Sequence, residues 1–322
     1  MIIQKQLITL DDWKDFISEQ SAIDEIAKSI LRECDILPRA FERINIGTNA
    51  VFDLGDTVLK IYASYEEAQH AWMDCRREIT MLNMLKNAPF RVPSIIRTGY
   101  ICDRYKMYYN ILEKFNVLHP FFHDKYTLDI SEYNTCIQEL HKVIQVINNI
   151  PINTYIAQIY SKPLRNFNKD NDEYARYLKS YFRKNAFNLG VVHGDLSETN
   201  IYLDHERNTV VLDFEDWMYA PIIVEYPTIC FELLKTPQNI QSFFNYTSLN
   251  KLIEMLIAGV LLHNESNRFL KNISLQMGKP DEFPTISDLY SFFRIFFNAI
   301  LYIFNSFSKI KKTSLLINSV KT

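Results

Sequence analysis

VVHGDLSETNIYLDHERNTVVLDFEDW, residues 191–217, is the most informative stretch of this 322-residue chain. An apolar run leads into a tight turn that holds Asp195, and Asn200 follows five residues later. The runs IYL and VVL lie on either side of a polar turn, which is typical of a β-hairpin, and the second run ends at Asp213. We expect this hairpin to bring Asn200 and Asp213 side by side.

Three oxygen-bearing side chains in this stretch match the needs of phosphoryl transfer. That reaction uses a carboxylate to orient a hydroxyl and accept its proton, and oxygen ligands to hold magnesium against nucleotide phosphates. Asp195 is suited to the first task, and Asn200 and Asp213 to the second. An Asp in an H-G-D turn also serves as a simple turn residue. H-G-D occurs in two-metal phosphoesterases as well, but those need histidine-rich clusters that seven scattered histidines do not provide.

The pattern H-G-D-L-x-x-x-N followed by L-D-F-E-D is similar to the catalytic and metal-binding motifs of the aminoglycoside phosphotransferases and their relatives, the choline kinases among them. The resemblance implies a two-lobed, protein-kinase-like α+β fold and a nucleotide donor, ATP or GTP. It makes Asp195 the catalytic base, Asn200 and Asp213 the Mg²⁺ ligands, and His193 mainly structural. It spans about residues 41–226.

Strand patterns dominate the chain before residue 113. Five short runs are separated by turn residues or by one helical pattern: FERINIG (41–47), AVFDLG (50–55), TVLKIY (57–62), Ser94–Cys102 and Lys106–Leu112. They predict a five-stranded antiparallel sheet.

Helical spacing appears in and around that sheet and takes over after it. Residues 10–34 predict a helix in which Thr9 and Asp12 form a capping box, and Tyr65–Asn87 predicts a helix inserted in the sheet. Glu132–Asn149 and Leu249–Leu262 predict long helices later on. We therefore expect an N-terminal nucleotide-binding lobe at residues 1–112 and a mostly helical lobe with the catalytic and substrate site at 113–322.

The resemblance assigns further residues to the nucleotide. A kinase-like fold has a lysine on the third strand and a glutamate on the following helix, and Lys60 and Glu78 stand at those places. Lys60 would contact the phosphates while Glu78 holds it by an ion pair. Gly47, Thr48 and Asn49 would form the phosphate loop, although a simple turn explains them equally well. Glu113 and Phe115 would bound the hinge that pairs with the nucleotide base.

The stretch after Asp213 departs from the family pattern. Where many relatives have a Gly-Pro turn followed by an Asp, this chain has Ala220-Pro221 followed by Glu225. Glu215 and Asp216 add carboxylates beside Asp213 that would either tune metal binding or be solvated, and we expect the solvated state.

Composition excludes several classes of protein. The net charge of -3 and 23% charged residues give no basic excess for nucleic acid. Five widely spread cysteines indicate reduced, mostly buried thiols in the cytoplasm, and the N-terminal sequence lacks the layout of a secretory signal. Leu289–Phe307 is apolar enough to suggest a membrane span. Its polar residues form one helical stripe, which predicts an amphipathic helix packed on a core; they are Ser291, Arg294, Asn298 and Asn305.

The acceptor substrate is not encoded in a motif. We expect a small-molecule hydroxyl and a monomer or homodimer. An aminoglycoside or related antibiotic is the first candidate, a metabolic kinase for choline, a sugar or an amino alcohol is the second, and a nucleotide-binding pseudokinase is the third. Aminoglycosides are polycations, so an acceptor site for them would collect carboxylates. The candidates are Glu198, Glu225, Glu232, Glu265, Asp281, Glu282 and Asp288.

Overall fold

The computed structural model describes residues 2–44, 47–67, 71–122, 130–162, 173–245 and 247–297. The chain divides into two compact units, each made of separate stretches. The first unit comprises Met1–Lys125, Asn149–Lys162 and Glu198–Met218, and the second comprises Tyr126–Asn148, Pro163–Ser197 and Tyr219–Thr322. Residues 198–218 belong to the first unit because their strand Ile201–Asp204 pairs with Val117–Pro120. The boundary expected after residue 112 stays a prediction.

The secondary structure agrees with an α+β fold. The strands are β1 (Glu42–Ile44), β2 (Ala50–Asp53), β3 (Thr57–Ile61), β4 (Ile95–Cys102), β5 (Lys106–Glu113), β6 (Val117–Pro120), β7 (Leu189–Val192), β8 (Ile201–Asp204), β9 (Thr209–Val211) and β10 (Met218–Pro221). The α-helices are α1 (Leu10–Ser18), α2 (Gln20–Glu33), α3 (Ala71–Leu85), α4 (Ile130–Asn148), α5 (Thr154–Tyr160), α6 (Glu173–Lys184), α7 (Tyr226–Thr228), α8 (Pro237–Phe243), α9 (Leu249–Leu262) and α10 (Ser266–Gln276). Residues 286–297 are also helical.

The predicted five-stranded antiparallel sheet is confirmed, with strand order β1-β2-β3-β5-β4. Other parts of the protein pack against the side chains of β3 on both faces of this sheet. Leu59 and Ile61 point into a core shared with α1 and α2, where Trp13 and Ile26 are fully buried. Because side chains alternate along a strand, Lys60 points to the opposite face, where it meets Glu78 of α3.

The single helix predicted over residues 10–34 is wrong, since the chain forms α1 and α2 with a break at Glu19, whose ψ is 88°. The capping box of Thr9 and Asp12 is confirmed. The break follows from the apolar pattern. In a continuous helix Ile23 would face about 120° away from Ile17, yet both are buried in the same core.

The helix inserted in the sheet is shorter than predicted. Residues 62–65 are not helical, and the described helix is Ala71–Leu85. The amides of Glu66 and Glu67 donate to the carbonyls of Leu7 and Ile8 at 2.9 and 3.0 Å, which ties this segment to the N-terminal stretch.

Helices dominate the second unit. The prediction for Leu249–Leu262 is confirmed as α9, and that for Glu132–Asn149 as α4, which ends one residue earlier and begins at Ile130. A close approach requires glycine at position 259, because a Cβ there would clash with the Ile223 carbonyl oxygen.

The apolar segment that begins at Leu289 agrees with the amphipathic interpretation as far as it is described. Leu289, Phe293 and Phe297 are buried while Ser291 and Arg294 are exposed, and Asn298 and Asn305 lie outside the described residues. No helix within the described ranges combines the length and apolar character needed to cross a membrane. All five cysteines are free, and all but Cys102 are buried.

Candidate functional site

A buried ammonium group is the centre of the candidate site in the first unit. Lys60 is 6% exposed, and its Nζ lies 3.3 Å from Glu78 Oε1, 2.7 Å from Asp213 Oδ1 and 2.9 Å from Glu215 Oε2. The ion pair of Lys60 with Glu78 is therefore present. Burial alone would disfavour the charged amine, but the three carboxylates outweigh it and hold the pKa of Lys60 well above its ordinary value.

The two residues expected to bind magnesium flank the hairpin β8–β9, Asn200 before β8 and Asp213 after β9. Ile201 pairs with Val211, and the Leu212 amide donates to the Asn200 carbonyl at 2.9 Å, so positions 200 and 212 are adjacent and Asp213 comes next. The expected closeness of Asn200 and Asp213 along the hairpin is thus observed in the backbone. Asp213 has φ 61° and ψ 66°, a left-handed conformation that Asp tolerates better than most residues.

The loop at Gly47–Asn49 is joined to the same cluster through one side chain. Asn49 Nδ2 donates to Glu215 Oε2 at 2.7 Å, and Asn49 Oδ1 accepts from the Ala63 amide at 3.0 Å. The carbonyl of Thr48 accepts from Trp13 Nε1 at 2.8 Å. Gly47 has φ +81°, and a Cβ there would meet nothing within 4 Å, so backbone conformation rather than space favours glycine.

The expectation that Glu215 and Asp216 are solvated is wrong. Glu215 contacts Lys60 and Asn49 with a side-chain exposure of 18%, and Asp216 pairs with Lys162. Burial and the nearby carboxylates of Asp213 and Asp216 raise the pKa of Glu215 despite the ammonium of Lys60.

The reason for this burial is the path of the chain after Asp213. Phe214–Asp216 forms a 3₁₀ turn that packs on α3. The turn is held there by the Trp217 indole, which donates to the Arg77 carbonyl at 3.1 Å. Acidic side chains are usually exposed, so the sequence alone predicts exposure of Glu215 and Asp216. No local pattern indicates that the chain folds back onto α3 after Asp213.

The residues expected at the hinge have other partners. Glu113 ends β5 and accepts from the Ser94 hydroxyl at 2.8 Å, while the Arg91 guanidinium lies 4.6 Å from the centroid of the Phe115 ring. These side-chain contacts do not test the role expected for the hinge backbone, which stays a prediction.

Asp195 belongs to the second unit, on the turn that follows β7. Gly194 has φ +87°, and the amides of His193 and Gly194 both donate to the carboxylate of Glu225, the latter to Oε1 at 3.2 Å. Glu225 is 2% exposed, and burial raises its pKa to about 7 even though backbone amides favour the charged form. His193 is fully buried, consistent with a structural role. Glu225 thus fixes the backbone that presents Asp195.

Several carboxylates considered for substrate binding have cationic partners in the second unit. Glu232 lies 2.8 Å and Glu265 3.8 Å from nitrogens of Arg268. Asp288 lies 2.8 Å from Lys279, and this lysine together with Thr285 lowers the pKa of Asp288 to about 2. These side chains are engaged in pairing within the protein.

Two other polar side chains near the ammonium cluster were not expected from the sequence. Tyr62 and Asn110 are buried beside Glu78 and hydrogen-bond with it. Tyr62 follows Lys60 by two residues, and Asn110 faces Lys60 across the β3–β5 ladder. Only the register of that ladder could have identified Asn110, and the sequence does not specify it.

Comparison with known proteins identifies the family and the fold. The family model for the phosphotransferase enzyme family, APH, matches residues 41–239, more than half of the chain. No curated protein matches the sequence.

Solved structures with a similar fold include three kinases. The GDP complex of wild-type aminoglycoside 2′-phosphotransferase-IIIa is 14% identical, covers 84% of this chain and 96% of its own, and has a TM-score of 0.55. The streptomycin–ATP ternary complex of APH(2″)-IIa is 14% identical over 83% and 95%, with a TM-score of 0.53. The microcompartment-associated aminopropanol kinase is 12% identical over 84% and 93%, with a TM-score of 0.52.

At this identity the likeness shows the fold, and the expected kinase-like α+β architecture is confirmed. The family model adds what structural likeness alone does not, because it matches the sequence across the sheet, α3 and both motifs. The chain belongs to the phosphotransferase enzyme family.

Proposed function

We propose that this chain transfers the γ-phosphoryl group of ATP or GTP to a hydroxyl of a small molecule. The observation that supports it most directly is the buried Lys60 ammonium between Glu78 and Asp213. One cation faces three carboxylates here, which leaves an excess of negative charge in a partly buried site. A magnesium-bound nucleotide would balance this charge, because Asp213 would bind the metal and Lys60 would contact the phosphates.

Asn200 and Asp213 fit a magnesium ion. They offer an amide and a carboxylate from neighbouring backbone positions, and Mg²⁺ prefers oxygen ligands. Asp213 is also the most exposed of the three carboxylates around Lys60, at 39% against 18% for Glu215 and 2% for Glu78. When bound, the ion neutralises charge on the phosphates.

Asp195 is the proposed carboxylate that orients the acceptor hydroxyl and takes its proton. A catalytic group must be held in place before substrate arrives, and the amides of His193 and Gly194 anchor its turn to Glu225. Glu78 is proposed to hold Lys60 against the phosphates. The backbone amides of Gly47–Asn49 and the hinge at Glu113–Phe115 complete the proposed nucleotide site. With free cysteines, the cytoplasm is the proposed place of action.

An aminoglycoside or a related hydroxylated antibiotic is the first proposed acceptor, because aminoglycoside kinases are prominent among the solved structures of this fold. A choline, sugar or amino alcohol is the second. It is favoured by the pairing of Glu232 with Arg268 and of Asp288 with Lys279, which leaves these carboxylates less suited to a polycation. The fold of an aminopropanol kinase is compatible with it.

The test is a panel assay that counts nucleotide consumed with aminoglycosides, choline, sugars and amino alcohols. We expect Asp195→Asn to lose at least about 100-fold in turnover with nearly unchanged nucleotide affinity. Asp15→Asn, an exposed carboxylate on α1, is the matched control. A variant at Asp195 that keeps a tenth of the wild-type rate would remove this residue from the mechanism. Consumption only with choline-like compounds would end the antibiotic proposal.

The metal role is tested separately by calorimetry. We expect Asp213→Ala to lose magnesium-dependent nucleotide binding, because the proposed carboxylate ligand is removed. A normal isotherm with this variant would contradict the assignment of Asp213.

A further inference from the structure

A directed series of hydrogen bonds lies behind the Lys60–Glu78 pair, all of it within the first unit. Cys75 Sγ donates to Asn110 Oδ1 at 3.3 Å, and Asn110 Nδ2 donates to the Tyr62 hydroxyl at 2.6 Å. The Tyr62 hydroxyl donates to Glu78 Oε2, and Glu78 Oε1 accepts from Lys60. The Asn110 amide nitrogen can only donate, so the Tyr62 hydroxyl accepts from it and turns its own hydrogen toward Glu78.

The environment makes this series necessary for a charged Glu78. The side chains of Glu78, Tyr62 and Asn110 are 2%, 0% and 0% exposed, so water is not available to the second carboxylate oxygen. A buried carboxylate needs a hydrogen-bond partner for each oxygen. Lys60 serves Oε1, and Tyr62 with Asn110 serves Oε2, the latter at 3.4 Å.

Tyr62 also contacts the lysine itself. Lys60 Nζ lies 5.2 Å from the centroid of the Tyr62 ring, within the range of a cation–π interaction. The ring therefore supports the ammonium while the hydroxyl holds its counter-ion. Asn110 faces Lys60 across the β3–β5 ladder, so the sheet fixes both ends of the arrangement.

We infer that Tyr62 and Asn110 are positioning residues for nucleotide binding, which set the carboxylate of Glu78 and through it the Lys60 ammonium that meets the phosphates. This inference rests on the proposed function. It extends the candidate site to two residues that would act on the nucleotide through the ion pair.

The experiment compares single hydroxyl deletions in the same sheet. Tyr62→Phe keeps the ring and removes the donor to Glu78, and Tyr109→Phe is the matched control. Tyr109 is 5% exposed and its hydroxyl contacts Cys34 Sγ at 3.2 Å on the opposite face of the sheet. We expect Tyr62→Phe to weaken calorimetric binding of the magnesium nucleotide about tenfold, or about 1.4 kcal/mol. The KM of the acceptor should not change, and Tyr109→Phe should stay within about twofold of wild type.

A double-mutant cycle separates positioning from a general structural effect. If Tyr62 acts through Glu78, then adding Tyr62→Phe to Glu78→Gln should cost less than about twofold, because the carboxylate it orients is gone. Full additivity would overturn the inference, as would equal affinities of Tyr62→Phe and Tyr109→Phe. Asn110→Leu, close in volume, should weaken binding in the same direction, and it serves in the cycle if Tyr62→Phe fails to fold.

The experiment distinguishes failure of the proposed function from failure of the positioning role of Tyr62 and Asn110. If wild-type protein binds no magnesium nucleotide, the proposed function falls and takes the inference with it. If wild type binds and Lys60→Ala does not, but Tyr62→Phe and Asn110→Leu both bind normally, only the positioning role falls.

Discussion

Replacing Lys60 by methionine is expected to destabilise the first unit strongly. The side chain keeps a similar length, but Glu78 and Glu215, with side-chain exposures of 2% and 18%, lose the ammonium that lies 3.3 and 2.9 Å from them. Removing one partner of a buried ion pair costs about 3–5 kcal/mol, because the remaining charge stays buried and uncompensated. We expect a loss in this range for Lys60→Met at neutral pH.

The assay is urea unfolding followed by tryptophan fluorescence. All three tryptophans, Trp13, Trp72 and Trp217, lie in the first unit, so the signal reports on the part that contains Lys60. Lys28→Met is the matched control, since Lys28 pairs with Glu25 at 3.0 Å while both side chains are about half exposed. Exposed pairs contribute at most about 1 kcal/mol.

The pH dependence tests the cause of the loss. The Lys60 ammonium lowers the pKa of Glu215, which burial already raises, so Lys60→Met should raise it further. A carboxyl whose folded pKa exceeds its unfolded value makes the protein more stable as pH falls toward the unfolded value. Because the wild-type pKa of Glu215 is already about 8, the two proteins differ in the protonation of Glu215 only above that pH. The deficit of Lys60→Met should therefore shrink as pH falls from alkaline values toward about 8, and stay constant below it. A deficit of 1 kcal/mol or less at neutral pH, or one that does not shrink as pH falls toward about 8, would refute the reasoning.

Two further perturbations address the second unit. Burial raises the pKa of Glu225 to about 7 from its ordinary 4.5, so the folded state holds a proton that the unfolded state loses, and stability should fall as pH rises from about 4.5 to about 7. Glu225→Gln should flatten that slope in far-ultraviolet circular dichroism melts, and parallel slopes would contradict the assignment. Gly259→Ala should cost about 1–3 kcal/mol, because its Cβ would clash with the Ile223 carbonyl oxygen. Lys251→Ala, exposed on the same helix, is the control, and equal melting temperatures would disprove the clash.

The charge arrangement at Lys60 suggests an order of events on nucleotide binding. Asp213 and Glu215 both contact the ammonium in the structure. Under the proposed function, Asp213 would bind the metal, whereas Glu215 is also held by Asn49. Glu215 thus links Lys60 to the Gly47–Asn49 loop, and we expect this link to remain when the nucleotide binds.

The substrate question depends on the second unit rather than on the motifs. The role proposed for Asp195, whose turn is anchored by Glu225, would apply to any hydroxyl acceptor. The cationic partners of Glu232 and Asp288 make a difference between acceptors, because a polycation would have to compete with Arg268 and Lys279. The substrate panel therefore distinguishes the candidate acceptors better than further comparison of the proposed catalytic residues would.

Local patterns in the sequence were enough for the secondary structure around the site. The runs in residues 50–62 and 94–113, the helix Leu249–Leu262 and the hairpin that brings position 200 beside position 212 all follow from periodicity and turn residues. These features depend on neighbours a few residues apart, which is why a single sequence suffices for them. The assignment of Lys60 and Glu78, which are 18 residues apart, came instead from the resemblance to the family.

Tertiary structure alone decided the burial and the partners. Glu215 meets Asn49 across 166 residues, and Asn110 meets Tyr62 across 48; neither separation has a signature in a local pattern. The break at Glu19 arises because two apolar stripes must face one core, and the raised pKa of Glu215 arises because the chain folds back onto α3 after Asp213. Burial and electrostatic environment are properties of packing between distant segments, so they appear only once the chain is folded.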